Sequence, residues 1–257
     1  MGRTLAVRRE RIVLVKACLN GGTTRREHPA VPQTPAELAA DAIAVVRAGA
    51  GAIHIHPRDE SGVEVLEASA VLAAVGEVQA AVPGVPVGVT TGLWAAGGSS
   101  YKRLELVSGW SGPSKPAFAS VNMSEPGAAE LAALLGELDI AVEAGVWTVA
   151  DADTLAETGL AEAGTGLVRI LVEPQDRSAE GAVALAAGIE AALDRHSFTA
   201  PRLHHGYGLA TWQVLRAAVA LGRDIRVGLE DTVVLADGTP ATSNAELVAA
   251  AVALAVG

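Results

Sequence analysis

The chain has 257 residues, half of them apolar, with 29 acidic against 19 basic side chains. This length is enough for one domain with a large core, while the formal charge of −10 argues against a nucleic-acid partner, which needs a basic face. No apolar run approaches the roughly 18 residues that cross a bilayer, and the apolar stretch near the N-terminus is too short for a signal peptide. The single cysteine, Cys18, fits a reducing compartment. The composition therefore predicts a cytoplasmic protein that binds neither membranes nor nucleic acids.

Short β-rich runs alternate along the chain with longer stretches rich in alanine and leucine. This order is typical of repeated βα units around a parallel sheet. The predicted strands, in chain order, are residues 12–18, 52–56, 85–90, 117–121, 140–143, 167–172, 202–205 and 225–229. Eight strands with room for a helix after each predict an α/β fold, a (β/α)8 TIM barrel, with one domain over residues 1–257.

Capping boxes mark two of the predicted helix starts, because Thr34 and Ser243 are each followed three residues later by a glutamate. The longest irregular stretches, residues 21–33 and 91–100, follow the first and third strands. Barrel enzymes place their active sites on the loops at the carboxyl ends of the strands. Both stretches are therefore expected to lie beside a site.

A candidate metal site begins with His54 and His56, which a strand period of two places on one face of the second strand. Two imidazoles that converge near a strand end suit zinc, and a carboxylate commonly completes such a ligand set. Glu230 and Asp231 end the last strand, which neighbours the first strand in a closed barrel. Glu230 is therefore the expected third ligand.

Each of these motifs also has a purely structural interpretation. His54 could pack in the core while His56 caps a loop, and the Glu230–Asp231 pair could begin a solvated loop or cap a helix. On a barrel, the two motifs together favour a metal site, with zinc as the expected ion and other divalent ions as alternatives. Three protein ligands leave a position open for a substrate carbonyl or for an activated water, and the sequence does not choose between these chemistries.

Four segments extend the pattern over nearly the whole chain, namely residues 20–25, 49–59, 226–231 and 243–247. Taken together in this order, they resemble the β-keto acid cleavage enzyme family, whose best-known type acts on 3-keto-5-aminohexanoate. The resemblance implies a zinc-dependent acyltransferase that condenses a β-keto acid with acetyl-CoA and gives acetoacetate and a new acyl-CoA. It also implies a homo-oligomer, either a tetramer or a dimer.

The resemblance assigns roles to individual residues. His54, His56 and Glu230 match the zinc ligands, and Arg226 and Asp231 match a catalytic dyad in which the aspartate is the base. The residues expected in the substrate site, at strand ends or in the loops that follow, are Asn20, Arg25, Thr90, Thr91, Ser120, Asn122, Glu143 and His205.

Three further expectations concern Glu143, His205 and Gly22. Glu143, at the end of the fifth predicted strand, is also expected to take part in catalysis. His205 is expected to face the pocket, and a hydrogen bond to a backbone carbonyl is an equally supported alternative. The best-known type has a glutamate that recognises the substrate's amino group at the place of Gly22, so this chain is expected to take a short neutral or anionic β-keto acid.

Two other functions are compatible with a metal on a barrel. A zinc hydrolase of the amidohydrolase type also uses paired histidines, but it places them on the first strand and adds later histidines. A barrel that binds a metal or ligand without catalysis is the second alternative, because a fold alone does not prove chemistry; Arg226 and Asp231 argue against it. Dependence on acetyl-CoA separates acyl exchange from hydrolysis.

Overall fold

The computed structural model describes residues 13–160, 166–176 and 178–257, so Ile12 of the first predicted strand lies outside the described residues. The strands are β1 (Val15–Cys18), β2 (Ala52–Ile55), β3 (Val87–Val89), β4 (Phe118–Asn122), β5 (Ala141–Val146), β6 (Leu167–Val172), β7 (Arg202–His204) and β8 (Asp224–Val227). All of them pair in parallel and in chain order, and the pairing of β1 with β8 closes the sheet. The predicted (β/α)8 barrel is confirmed.

A helix follows each strand, and all of them lie outside the barrel. The helices are α1 (Pro35–Arg47), α2 (Ala68–Ala81), α3 (Ser100–Val107), α4 (Ala128–Glu137), α5 (Val149–Glu157), α6 (Ala179–Arg195), α7 (Thr211–Ala220) and α8 (Asn244–Val256). Short 3₁₀ turns at Leu93–Ala96 and Gly208–Ala210 lie in the loops after β3 and β7. None of the helices in the described ranges is long and apolar enough to cross a bilayer.

The two predicted capping boxes differ in the structure. At α1 the Thr34 hydroxyl accepts a hydrogen bond from the Glu37 amide, and the Glu37 carboxylate accepts one from the Thr34 amide, which is the complete box. At α8 the Ser243 hydroxyl accepts from the Glu246 amide, but the Glu246 carboxylate accepts from the backbone of Thr242 instead. The second box is therefore only half formed.

The fifth strand is longer than the sequence predicted. β5 continues to Val146, because Gly145 lies within the strand and does not begin a turn. A Cβ on Gly145 would lie 2.8 Å from Oδ1 of Asn122, so the glycine allows a close approach to β4. Glu143, predicted to end the strand, consequently lies in its middle.

The last strand is shorter than predicted and ends at Val227. A Cβ on Gly228 would lie 1.9 Å from the carbonyl oxygen of Cys18, so only glycine fits between β8 and β1 at this point. The chain then turns, since the amides of Asp231 and Thr232 both donate to the Gly228 carbonyl. This turn directs the residues after β8 towards the end of β2.

A charged triad crosses the barrel lumen. Lys16 Nζ of β1 and Arg169 Nη1 of β6 each lie 2.6 Å from a different carboxylate oxygen of Glu143 in β5. Both cations lie over the ring of Phe118, at 5.7 and 5.5 Å from its centroid. A buried ion pair that loses one partner leaves an uncompensated charge, at a cost of about 3–5 kcal/mol. The triad therefore stabilises the lumen only as a complete set.

The outward faces of the strands form the apolar core together with the helices. Ile53 and Ile55 of β2 and Val87 of β3 are fully buried in one cluster with Leu38 of α1. Each such side chain contributes about 1.5–3 kcal/mol on burial. Because alternate residues point to opposite faces, the intervening positions, such as His54, are directed into the lumen.

Candidate metal centre

Strand β2 positions the two histidines of the site. His54 lies beside Cys18 of β1 and Gly88 of β3 in the sheet register, and His56 follows the strand directly. Both are buried, and their rings meet edge to face with centroids 5.1 Å apart. The predicted placement of both imidazoles on one face is what the structure shows.

The turn after β8 brings Glu230 to these histidines. One ligand atom each from His54, His56 and Glu230 lie within 4.8 Å of one another. His56 Nε2 and Glu230 Oε1 are 3.4 Å apart. Two ligand atoms about 2.1 Å from a tetrahedral metal stand roughly 3.4 Å from each other, so this spacing fits a shared ion.

The buried polar atoms of the cluster also fit a metal. Among the described residues, His54 Nδ1 and Glu230 Oε2 have no hydrogen-bond partner although both are buried. Burial, followed by the neighbouring His56, lowers the pKa of His54 well below its usual value, so its imidazole is neutral. Two imidazole nitrogens and one carboxylate are a ligand set that zinc favours and that other divalent ions accept.

Carboxylates control the charge of His56. Burial opposes a charge on this imidazole, but Glu230 and Glu64 outweigh burial and raise the pKa of His56 to about 9. Burial likewise opposes charge on Glu230, but Arg226 and His56 outweigh it and lower the pKa of Glu230. A metal that binds here therefore competes with a proton on His56.

Arg226 and Asp231 form a buried ion pair beside the cluster. Arg226 Nη2 lies 2.7 Å from Asp231 Oδ1, its Nε is 3.1 Å from the same oxygen, and Nη2 also donates to Glu230. Burial opposes the charge of Asp231, but Arg226 and then His205 outweigh it and hold the pKa of Asp231 at about 2. Asp231 is consequently an anionic, weakly basic carboxylate next to the candidate metal ligands.

His205 is fully buried in the site and lies between two carboxylates. Its Nδ1 is 3.3 Å from Asp231 Oδ1, and its Nε2 is 3.4 Å from Glu173 Oε1. Glu173 is held by Trp147, whose Nε1 donates to Oε2 at 2.9 Å. Burial and Arg226 oppose a charge on His205, but Asp231 and Glu173 outweigh them and raise its pKa. The side chain of His205 thus faces acidic groups of the site.

Asn20 is brought to the site, where its side-chain amide bonds the backbone of His56. It is completely buried, its Nδ2 donates to the His56 carbonyl at 2.8 Å, and its Oδ1 accepts from the His56 amide at 2.9 Å. This double hydrogen bond clamps the backbone of His56 to the end of β1. Arg25, in contrast, is half exposed and pairs with Glu37 at the start of α1.

Other predicted residues follow β3 or lie within β4. Thr90 Oγ1 accepts from the Gly92 amide, and Thr91 Oγ1 donates to the Ser120 carbonyl. Ser120 is partly exposed, while Asn122 is buried and donates from Nδ2 to the Glu125 carboxylate at 2.9 Å. Glu143 lies in the middle of β5, in register with Ser120 of β4, and pairs with Lys16 and Arg169 in the lumen.

Sequence reasoning missed three side chains of the site. Glu173 follows β6 directly, and this place at the carboxyl end of a strand, where barrel enzymes have their active sites, was the available signal for it. Glu64 and Trp94 belong to the loops after β2 and β3, where nothing in the spacing predicts that Glu64 Oε2 would bond both His56 and Trp94. A tryptophan within a loop already expected to lie beside the site was the available signal for Trp94.

Comparison with known proteins adds to this geometry. The family model of the beta-keto acid cleavage enzyme matches residues 12–257. The 3-keto-5-aminohexanoate cleavage enzyme of Fusobacterium nucleatum subsp. nucleatum is 24% identical over 264 residues, which cover 96% of this chain and 92% of the relative.

Solved structures with the same barrel are more distant in sequence. The apo structure of ObcA aligns with a TM-score of 0.67 at 20% identity and covers 86% of this chain, which spans only 61% of ObcA. The 3-dehydroquinate dehydratase of Geobacillus kaustophilus aligns with a TM-score of 0.57 at 12% identity, over 84% of this chain and 81% of that one. These structures support the fold alone. Because the family model spans nearly the whole sequence, the chain belongs to the β-keto acid cleavage enzyme family.

Proposed function

We propose that this chain is a zinc-dependent β-keto acid:acetyl-CoA C-acetyltransferase, which converts a β-keto acid and acetyl-CoA into acetoacetate and a new acyl-CoA. The observation that carries the proposal is the three-ligand cluster of His54, His56 and Glu230 with the Arg226–Asp231 pair directly beside it. Membership of the family supports an enzyme that acts on β-keto acids.

Each of these residues has its own role in the proposed reaction. His54, His56 and Glu230 would hold the ion, and a bound zinc supplies Lewis-acid polarisation of the substrate's β-carbonyl. Asp231 accepts a proton from the carbon between the β-carbonyl and the carboxylate. Its pKa of about 2 makes it a weak base, so proton removal requires a strongly acidified carbon. Arg226 keeps Asp231 anionic and lies where it can stabilise a developing oxyanion.

Carbon–carbon bond formation and cleavage then exchange the acyl groups. The deprotonated carbon attacks the thioester carbonyl of acetyl-CoA and expels CoA as a thiolate. The thiolate attacks the former β-carbonyl, the bond between that carbonyl and the central carbon breaks, and the electron pair and one proton go to the central carbon. The products are acetoacetate and the new thioester, and no organic cofactor is consumed.

Thr90, Thr91, Ser120 and Asn122 are proposed to border the bound acid, because Thr90 and Thr91 follow β3 and the other two belong to β4, the next strand of the barrel. Asn20 is proposed to act through the backbone of His56. Arg25 stays a prediction for the substrate site; because its side chain is half exposed, the substrate carboxylate and the phosphates of CoA are both proposed partners.

Further proposals concern Glu143 and His205. Glu143 is proposed to compensate the positive charges of Lys16 and Arg169 in the lumen below the site. His205 is proposed to hold Asp231 through its Nδ1, which lies 3.3 Å from Oδ1, the oxygen that Arg226 Nη2 also contacts.

The groups that surround Gly22 at the edge of the site are expected to determine which acyl group the enzyme accepts. A missing side chain there favours a neutral or anionic acid. However, Glu64 Oε1 lies 3.7 Å from the position that a Cβ on Gly22 would take, so a carboxylate oxygen stands at this edge after all. An assay panel therefore needs neutral, anionic and amino-substituted β-keto acids, together with oxaloacetate, which the structure of ObcA in a binary complex contains.

The test is turnover of this panel by zinc-loaded protein, with and without acetyl-CoA, and with Asp231→Asn beside the wild type. Thioester formation only in the presence of both substrates supports acyl exchange. Turnover without acetyl-CoA would favour the hydrolase, and zinc binding without any turnover would favour a non-catalytic barrel. A homotetramer or dimer in the cytoplasm stays a prediction, and sizing by light scattering measures the oligomeric state.

A further inference from the structure

Glu64 joins a metal ligand to the loop after β3. It lies in a hairpin that follows β2, where Arg58 and Glu64 form an antiparallel bridge. Its Oε2 is 2.8 Å from His56 Nδ1 and also accepts a hydrogen bond from Trp94 Nε1 at 2.9 Å. The side chain of Glu64 is only 12% exposed, so these contacts are largely shielded from water.

The position of Glu64 determines which nitrogen of His56 is available. His56 Nε2 lies on the side of Glu230 Oε1, at 3.4 Å, so Nδ1 is the nitrogen that points away from the ligand cluster. A neutral imidazole has one donor and one acceptor nitrogen. When Nδ1 donates its hydrogen to Glu64, the lone pair of Nε2 is directed at the cluster. A carboxylate in this place fixes both the tautomer and the ring orientation of a metal ligand.

Trp94 is held in place although half of it is exposed. Its ring is nearly parallel to that of His56, with an interplanar angle of 18° and centroids 6.4 Å apart. It packs on the backbone of Gly92, where a Cβ would lie 2.2 Å from the indole. Packing and the hydrogen bond to Glu64 together fix a side chain that is 52% exposed. The indole N–H therefore presents a fixed donor to Glu64.

We propose that Glu64 is a positioning residue of the metal centre, which holds His56 for coordination through Nε2, and that Trp94 acts on the centre through Glu64. This inference rests on the proposed metal-dependent function and adds two residues to it. Glu64 and Trp94 come from different loops, so the loop after β3 is linked to metal affinity without supplying a ligand.

The experiment measures the dissociation constant of Zn²⁺ by competition with a chromophoric chelator. The variants are Glu64→Ala, Glu64→Gln, Trp94→Phe and the double variant with Glu64→Ala and Trp94→Phe. Glu60→Gln is the matched control, because Glu60 is an exposed carboxylate in the same hairpin. Circular dichroism and the melting temperature of the metal-free proteins verify that each variant folds.

Loss of an outer carboxylate of this kind weakens metal binding about 10–100-fold, which is the change expected for Glu64→Ala. Glu64→Gln should lose less, because its amide oxygen can still accept the Nδ1 hydrogen of His56. Trp94→Phe should weaken binding less than Glu64→Ala does, and the double variant should bind as Glu64→Ala does. Cobalt-substituted Glu64→Ala should also show an altered visible spectrum, which a change of global stability alone would not produce.

The outcomes separate this inference from the proposed function. Unchanged zinc affinity and an unchanged cobalt spectrum in Glu64→Ala overturn the role of Glu64. A double variant whose loss equals the two single losses combined overturns the claim that Trp94 acts through Glu64. Wild-type protein that binds no Zn²⁺ overturns the metal centre itself, and the positioning role with it.

Discussion

Replacement of Gly21 by alanine should displace the third metal ligand. Gly21 has a φ of +49°, and a Cβ added there would lie 2.1 Å from Cγ of Glu230. An ordinary contact begins at 3.4 Å, so the two atoms must separate by about 1.3 Å. Glu230 cannot move that far and keep its place, because metal sites tolerate only about 0.2 Å. The loop cannot yield freely either, since Arg58 Nη2 holds the Gly21 carbonyl at 2.6 Å.

Two effects of Gly21→Ala are expected. The left-handed backbone adds strain of about 1–2 kcal/mol, which corresponds to a few degrees in the melting temperature of a chain this long. Displacement of Glu230 should weaken zinc binding at least about tenfold and reduce turnover about a hundredfold, as misplacement by an ångström typically does. Gly22→Ala is the control, because its nearest atom is 3.7 Å away and its φ is ordinary. Equal zinc affinity in the two variants would refute the reasoning.

Three further outcomes are expected. His54→Ala should lose zinc and activity while circular dichroism shows the barrel retained, because the apolar core does not depend on the metal; full zinc content by mass spectrometry would contradict the ligand assignment. Asp231→Asn should keep its zinc and lose about 10²–10⁴-fold in turnover, the typical contribution of a general base. Burial raises the pKa of Asp41 from 3.8 to about 6 against the opposing hydrogen bond from Asn244. Because the raised pKa belongs to the folded state, the stability from protonated Asp41 is fully present below pH 3.8 and is lost as the pH rises through about 6. The total loss is at most about 3 kcal/mol, of which roughly 1.4 kcal/mol falls between pH 5 and pH 8. Asp41→Asn should remove this second part from the free energies of urea unfolding measured at the two pH values.

The fold and the cluster of His54, His56 and Glu230 were predictable because both depend on short periodic patterns. A period of two places His54 and His56 on one face whatever the exact strand ends, and barrel closure brings the residues after β8 beside β1 and β2. Glu230 could therefore be assigned although it lies beyond the end of β8.

The ends of the strands were less predictable, and for this reason Glu143 was expected at the end of β5 and not in its middle. The predicted strand ends at Glu143, whereas in the structure Gly145 lies within β5 and allows a close approach to Asn122. The strand consequently continues, and Glu143 pairs with Lys16 and Arg169 across the lumen. That pairing joins residues far apart in the chain, which no local pattern reports.

The contacts of Glu64 and Trp94 were not predictable for a related reason. Each lies in an irregular loop. Glu64 Oε2 bonds both Trp94 and His56, so the contact depends on the relative positions of three separate segments of the chain. Loop conformations of this kind depend on tertiary packing and carry only weak signals in the sequence.

Acetyl-CoA labelled with ¹³C at the acetyl carbonyl tests the central claim most directly, with zinc-loaded protein and a turned-over β-keto acid as the second substrate. NMR should find the label at the ketone carbon of acetoacetate and none in the new thioester, because the substrate's central carbon attacks the labelled carbonyl. Label recovered only in acetate or unreacted acetyl-CoA, while the β-keto acid is consumed, would contradict acyl exchange at this site.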